Sequence, residues 1–265
     1  MLPIRKRKSI GQHLIINKDV ILKICDIIIE NITEDFKDFV LFEIGSGEGT
    51  LTVPLLQKLK NHPLKPCLTV LNEIDYRYIK KLQIKLAEMG LSKQFSIQFL
   101  QEDFLKVNLT NFDSKVYLVG NIPFYITGKL FRKITQNYEK IIQVVINIQR
   151  EVADKISNPD NPLGIGLSLG WYVEKKLSLI PSFYNPQPKV YSQIVLMKNK
   201  YNPLFSDKWM NFVYKLFRKS NKTIKNLLTT SELSKLSLND SLLNKRPLQL
   251  TVQEIVEIYK TLYGS

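Results

Sequence analysis

The sequence predicts an α/β fold, a parallel central sheet flanked by helices, with a smaller helical part towards the C-terminus. Three observations carry this. Short apolar runs bounded by turns alternate with segments of helical periodicity as far as about residue 156. The first run ends in a glycine-rich turn that opens a helix, Glu43-Ile-Gly45-Ser-Gly47-Glu-Gly49-Thr50. Beyond about Pro203 only helical periodicity remains. A length of 265 residues suits one large domain plus a small appendage. The texture changes near Pro181, where Tyr184-Asn-Pro-Gln-Pro-Lys189 is rich in turn formers, so the expected units are 1–182 and 183–265.

In order along the chain, Lys18 to Glu30 reads as an amphipathic helix. Lys23, Asp26 and Glu30 break its apolar stretch and exclude a secretory signal. Phe39-Val-Leu-Phe-Glu-Ile44 is a short apolar run stopping at glycines, hence a buried strand, and Thr50 to Lys60 is the helix after it. Leu68-Thr-Val-Leu71 is the second strand and Arg77 to Met89 the next helix. Phe95 to Leu100 is the third strand, entering Gln101-Glu-Asp-Phe104. Val116-Tyr-Leu-Val119 is the fourth, entering Gly120-Asn-Ile-Pro123, with a helix over Lys129 to Thr135. Gln143-Val-Val-Ile-Asn-Ile148 is the fifth strand, Gln149 to Ile156 a helix, and Gln193 to Lys198 a last strand. In a parallel sheet of this kind ligands sit at the carboxyl ends of the strands.

Composition narrows the function. Apolar residues make up 44% and charged residues 23%, which excludes a disordered or collagen-like chain. Lys and Arg number 38 against 24 Asp and Glu, a net charge of +14. Such an excess suits a polyanion, because phosphates reward Lys and Arg through counterion release. Abundant Lys, Asn and Ile, with alanine only at Ala87 and Ala153, also fit an AT-rich coding bias, and an anionic membrane surface is a third option. Residues 181–265 hold thirteen Lys and Arg against five Asp and Glu. Cys25 and Cys67 cannot form a disulfide framework and neither has a partner at metal spacing, so a reducing compartment is expected. With histidine only at His13 and His62, no metal site is expected. No apolar run is long enough for a bilayer, so no membrane partner is expected. Residues 1–18 lack Asp and Glu, as transit peptides do, but a motif beginning near Lys8 leaves little to cleave.

Four strand ends carry chemistry. At the first, Gly45 and Gly47 match the opening of a dinucleotide fingerprint, but Thr50 takes the place of its last glycine, which weakens a pyrophosphate cradle. By itself the turn also has a purely structural reading, the weaker of the two. At the second, Asn72-Glu73-Ile-Asp75 puts a carboxylate where it can bridge two ribose hydroxyls, in a dinucleotide or an S-adenosylmethionine site alike. At the third, Glu102-Asp103 offers an acceptor for an adenine amine. The fourth, Asn121-Ile122-Pro123-Phe124, is the most specific. An amine on a planar ring is a poor nucleophile, because its lone pair is delocalised. The Asn121 side-chain oxygen and the Ile122 carbonyl can both accept from that amine and favour a pyramidal nitrogen. Phe124 can stack on the base and hold it in line.

With these motifs in view the chain resembles the ribosomal RNA adenine dimethyltransferases, of the KsgA/RsmA type with Erm relatives. Lys8-Ser-Ile-Gly11-Gln12-His13-Leu14 is similar to the family's Gly-Gln-[Asn/His]-Phe-Leu motif. The four strand-end segments follow in family order. Gln149-Arg-Glu-Val-Ala-Asp-Lys-Ile156 and Asn185-Pro-Gln-Pro-Lys-Val-Tyr-Ser192 resemble two further family segments, so the likeness runs from about Lys8 to the C-terminus. It implies a Rossmann-like S-adenosylmethionine-dependent methyltransferase domain with a small helical domain that contacts RNA. It implies cofactor contacts from His13, Ile15, Gly45, Ser46, Gly47, Glu73, Ile74, Asp103, Phe104 and Asn121. The catalytic turn is Asn121, Ile122, Pro123 and Phe124. Arg5, Lys6, Arg7, Lys8, Lys189, Arg218, Lys219, Lys222 and Lys225 are the expected RNA contacts, with other basic residues of Lys215–Lys225. S-adenosyl-L-homocysteine would be the product of the cofactor.

Phe217-Arg-Lys-Ser-Asn-Lys-Thr-Ile-Lys-Asn-Leu227 and Lys245-Arg-Pro-Leu-Gln-Leu-Thr251 resemble segments of the KsgA type and favour small-subunit over large-subunit RNA. The sequence departs from the family at Phe124, where the family has Tyr, and at Tyr191, where it has Asp. Ser220 and Asn221 interrupt a basic cluster, and Leu163 to Ser168 match only loosely. The expectation is a monomer in the cytoplasm, or in a mitochondrion or plastid-type organelle, acting on an assembling small ribosomal subunit. The rival readings are an Erm-like large-subunit enzyme and a non-catalytic assembly or mitochondrial transcription factor of the same fold.

Overall fold

In the computed structural model the chain is described over residues 13–34, 36–236 and 240–263. It divides into two compact units. The first runs to Ala153 and resumes over Glu174–Asn199; the second takes Asp154–Val173 and everything from Lys200.

The first unit begins with β1 (Leu14–Ile15) and α1 (Lys18–Glu30). Asn17 caps α1 by accepting from the Val20 N–H at 3.0 Å. Val20, Ile21, Ile24, Cys25 and Ile28 form its buried stripe. Strands β2 (Val40–Ile44), β3 (Leu68–Asn72), β4 (Ile97–Leu100) and β5 (Val116–Asn121) alternate with α2 (Thr52–Leu59), α3 (Tyr76–Glu88) and α4 (Thr127–Gln136). Then come β6 (Ile141–Gln149) and α5 (Arg150–Ser157), followed by α6 (Pro162–Gly170), β7 (Trp171–Leu179), β8 (Tyr184–Asn185) and β9 (Ser192–Asn199). The large sheet has the order β4-β3-β2-β5-β6-β9-β7. Pairing is parallel from β4 to β6 and antiparallel between β6 and β9. Strand β2 is buried along its whole length, as a parallel strand covered on both faces must be.

Strand order reverses between β2 and β5. Register there is even: Ile44 lies beside Asn72 on one flank and Gly120 on the other. The next residues, Gly45, Glu73 and Asn121, therefore emerge at one level at the switch point, where sheets of this class bind ligands.

Besides α6, the second unit holds α7 (Asp207–Phe217), α8 (Ile224–Leu227), α9 (Thr230–Lys235), α10 (Asp240–Leu243) and α11 (Val252–Tyr263). Trp209, Phe212 and Tyr259 pack as an aromatic core, and the Trp209 indole donates to the Gly166 carbonyl at 2.8 Å. The expected helical appendage is there, but its boundary differs from 182/183. Strand β9 belongs with the sheet, so the second crossing falls at Asn199, and residues 154–173 side with the helices.

Helix α6 and strand β7 have no counterpart in the sequence expectation. Two glycines in Leu163-Gly-Ile-Gly make the segment a poor helix former in isolation. Here close packing decides. A Cβ on Gly164 would lie 1.9 Å from the Asn158 carbonyl oxygen, so a bare backbone is what lets α6 start this close to the end of α5. Among the described residues no helix is long and apolar enough to cross a membrane.

Candidate active site

A cleft of about 300 Å³ opens at the strand ends. Its walls take in His13, Gly45, Gly47, Glu73, Ile74, Asp103, Phe104 and the turn Asn121–Phe124. Most of the expected cofactor set thus converges in one place. Ile15 and Ser46 do not line this cleft. They border a second cavity, of about 40 Å³, which shares Leu14, Gly45 and Asn121 with it. Arg5, Lys6, Arg7 and Lys8, with Gly11 and Gln12 of the N-terminal motif, lie outside the described residues.

The glycine turn is held from beneath. The Gly45 and Ser46 N–H groups both donate to the Asn72 carbonyl, at 2.9 and 3.0 Å. Gly45 adopts φ +70°, and a Cβ there would meet nothing within 4 Å. Conformation therefore calls for glycine at this position, and open space lies over it. Gly49 serves another purpose. A Cβ on it would lie 2.4 Å from Leu82 Cδ1, so Gly49 seats this turn against α3. The fingerprint's third glycine has a stand-in one residue before Thr50.

Glu73 is buried, and its carboxylate accepts from two backbone N–H groups. Gly47 donates to Oε2 and Asp75 to Oε1, each at 3.0 Å. Each oxygen keeps acceptor capacity, which suits a pair of ribose hydroxyls. Asn72 is also buried and donates through Nδ2 to the Leu100 and Glu102 carbonyls, at 3.1 and 2.7 Å. This ties the β4 loop, and with it Asp103, to the end of β3. Asp103 accepts from the Leu105 N–H at 3.0 Å, and Phe104 packs edge-on against Phe42.

Behind the glycine turn sits Glu43. Burial pushes its carboxyl up to about 8; the Thr52 hydroxyl opposes the rise and the charge of Glu73 adds to it. Thr52 Oγ1 donates to Glu43 Oε2 at 2.6 Å.

The Asn121–Phe124 turn is braced on both sides. Asn121 Nδ2 donates to the His13 carbonyl at 2.8 Å, and Asn121 Oδ1 accepts from Asn147 Nδ2 at 2.7 Å. The His13 ring stands 5.7 Å from the Phe124 ring, and His13 Nδ1 lies 2.8 Å from the Pro186 carbonyl oxygen. Tyr125, Tyr76 and Arg77 line the cleft without having been expected from the sequence. Tyr125 is 62% exposed, and its place beside Phe124 was the available signal. Asn147 was missed as well; its signal is an amide in an otherwise apolar strand.

Of the expected RNA contacts, Lys189 is exposed on the first unit, and Arg218, Lys219, Lys222 and Lys225 are exposed on the second. Lys215 is engaged with Glu232 at 2.6 Å. Burial raises the Glu232 carboxyl, but hydrogen bonds from Lys215, the Thr229 N–H and the Tyr263 hydroxyl outweigh it and hold the group at about 2. Among the described residues no group of three or more His, Cys, Asp and Glu is placed to hold a metal ion.

Glycine turn, carboxylate and Asn-x-Pro-aromatic turn at the switch point of a parallel sheet define a Rossmann-like methyltransferase. The family model described as ribosomal RNA adenine dimethylase matches residues 4–262, and the chain belongs to that family. It is similar to the Ribosomal RNA small subunit methyltransferase A of Mesomycoplasma hyopneumoniae, 32% identical over 84% of this chain and 81% of the relative. It is also similar to the protein of that name from a Sulfurihydrogenibium species, 30% identical over 98% of this chain and 97% of the relative. The crystal structure of a dimethyladenosine transferase from Plasmodium falciparum shares the fold, with a TM-score of 0.73 at 21% identity over 93% of this chain and 96% of that one.

Proposed function

We propose that this chain dimethylates adenosines at N6 near the 3′ end of small-subunit ribosomal RNA, using S-adenosyl-L-methionine. Membership of the adenine dimethylase family supports the reaction, and the name of the curated relatives supports the small-subunit target. The observation that carries the site is the level emergence of Gly45, Glu73 and Asn121 into one cleft.

The residues present fit the cofactor. Glu73 retains acceptor capacity for ribose hydroxyls, Asp103 faces the cleft for an adenine amine, and Gly45 leaves its backbone approachable. When bound, the cofactor supplies an electrophilic methyl group, and S-adenosyl-L-homocysteine remains after transfer. The protein's part is positioning. Asn121 Oδ1 has one lone pair committed to Asn147 and a second available to the target amine. The Ile122 carbonyl is the second acceptor, and Phe124 the stacking surface. Holding the amine pyramidal and in line removes much of the entropic barrier. The target adenine must leave its stack to reach Phe124. Exposed Lys189, Arg218, Lys219, Lys222 and Lys225 hold phosphates and set orientation, while RNA shape supplies specificity. The reading takes the enzyme as a cytoplasmic monomer acting during subunit assembly.

The test is transfer of labelled methyl from the cofactor to unmethylated small subunits, with large-subunit RNA as control. Dimethyladenosine near the small-subunit 3′ end is the expected product. Label on large-subunit RNA alone makes the chain an Erm-type enzyme. Tight subunit binding with no label on either makes it a non-catalytic assembly factor.

A further inference from the structure

We propose that Asn147 is a positioning residue for methyl transfer, fixing the orientation of the Asn121 carboxamide through a buried chain that continues to Tyr184 and Ser192. The inference rests on the role given to Asn121 above.

The chain starts from the paired strands. Asn121 and Asn147 are direct neighbours on β5 and β6. Asn147 Nδ2 has two hydrogens and both are used. One goes to Asn121 Oδ1 at 2.7 Å, the other to the Tyr184 hydroxyl oxygen at 2.8 Å. The Tyr184 hydroxyl, whose oxygen accepts from Asn147, also makes a short hydrogen bond with the Ser192 hydroxyl. Tyr184 and Ser192 are both buried, so each step is shielded from water. The main chain takes part as well. The Asn147 carbonyl accepts from the Ile122 N–H at 3.2 Å. A single residue therefore braces both amine acceptors of the turn, the Asn121 side chain and the Ile122 peptide.

The effect is to lock an amide. If the Asn121 carboxamide turned over, its NH2 would face the NH2 of Asn147 and its oxygen would face the His13 carbonyl. Donor would meet donor and acceptor would meet acceptor, so the oxygen is kept in the productive place from both ends. Stability alone does not account for Asn147. The residue is 1% exposed in an apolar strand, and among the described residues its Oδ1 has no hydrogen-bond partner. An apolar side chain of similar size would avoid that desolvation cost. What the amide contributes is carried by its nitrogen, which points at Asn121 and Tyr184.

Asn147→Leu, Tyr184→Phe and Asn121→Ala are to be compared in the full chain by single-turnover transfer to unmethylated small subunits. Cofactor Kd and Tm are measured alongside. Asn147→Leu is expected to slow transfer by ~10- to 100-fold, the scale of a misplaced reacting group. Cofactor Kd should stay within about 3-fold, as the change is to orientation and not to binding. Tyr184→Phe, which keeps the ring and loses the acceptor, should slow transfer less. Asn147→Leu at the wild-type rate, while Asn121→Ala is inactive, overturns the proposal. So does a loss of rate matched by an equal loss of cofactor affinity, which would make Asn147 a packing residue. Should Asn147→Leu fail to fold, a wild-type rate in Tyr184→Phe overturns it equally. Normal transfer by Asn121→Ala would instead remove the reading of the turn itself.

Discussion

The sheet's strand ends and the helical unit treat a glutamate in opposite ways. Glu43 is enclosed behind the glycine turn, where burial lifts its carboxyl to about 8. Glu232, on α9, has Lys215, Thr229 and Tyr263 around it and stays ionised down to about 2. Around Glu43 water is excluded and the charge is neutralised by protonation, whereas the neighbouring Glu73 has two backbone N–H groups to take up its charge. The helical unit compensates charge with neighbours that are partly wet. A site built for positioning a weak nucleophile needs the first environment; a surface built for a polyanion needs the second.

The comparison can be broken most sharply at the Asn121–Phe124 turn. Asn121→Ala should lower methyl transfer by about 100-fold or more, because the lost acceptor acts at the reacting nitrogen. Cofactor binding measured by calorimetry should hardly change; a parallel loss of both would move Asn121 to the binding machinery. Glu73→Ala should do the reverse. Labelled cofactor should bind on the order of 10- to 100-fold more weakly, since two ribose hydroxyls lose a buried charged acceptor.

The next effect is on stability. The folded chain keeps the Glu43 proton that the unfolded chain releases from about 4.5, so this group's contribution is full below that pH and is lost as pH rises to about 8. Glu43→Gln should flatten that decline and raise Tm at pH 8, read by thermal unfolding across pH 5 to 8. Glu232 has the opposite sign: its contribution is present above 4.5 and is lost as pH falls towards about 2. The smallest effects lie on the surface. Arg218→Ala and Lys219→Ala should each lower the slope of log K against log salt for RNA binding by about 1, with transfer at saturating RNA unchanged. An unchanged slope would remove the segment that follows α7 from the RNA surface.

Much of the sheet was legible because its strands are short apolar runs ending in turn residues. The locations of Gly45, Glu73, Asp103 and Asn121 follow from those strand ends. Even register across β3, β2 and β5 then brings Gly45, Glu73 and Asn121 to one level. What escaped the sequence depends on neighbours in space. Helix α6 holds Gly164, whose bare backbone is required by the Asn158 and Lys155 carbonyls beside it. Ser46, expected at the cofactor, borders the smaller cavity and not the main cleft. Asn147 acquires meaning only from the strand beside it. Lys215 reads as a phosphate contact in a basic run, and only the fold reveals Glu232 beside it.

The pairing of β1 with β8 bears on the order in which the protein becomes competent. Leu14 and Ile15 pair with Asn185 and Tyr184, and His13 meets Pro186, a partner 173 residues away. The carbonyl of that same His13 receives the Asn121 amide. During synthesis the glycine turn, Glu73 and Asn121 all leave the ribosome before β8 exists. The segment that steadies Asn121 from the front must wait for the segment that anchors it. A nascent chain halted before residue 184 would carry most of the cleft and lack its closure, so competence arrives late, with one of the longest-range contacts in the molecule.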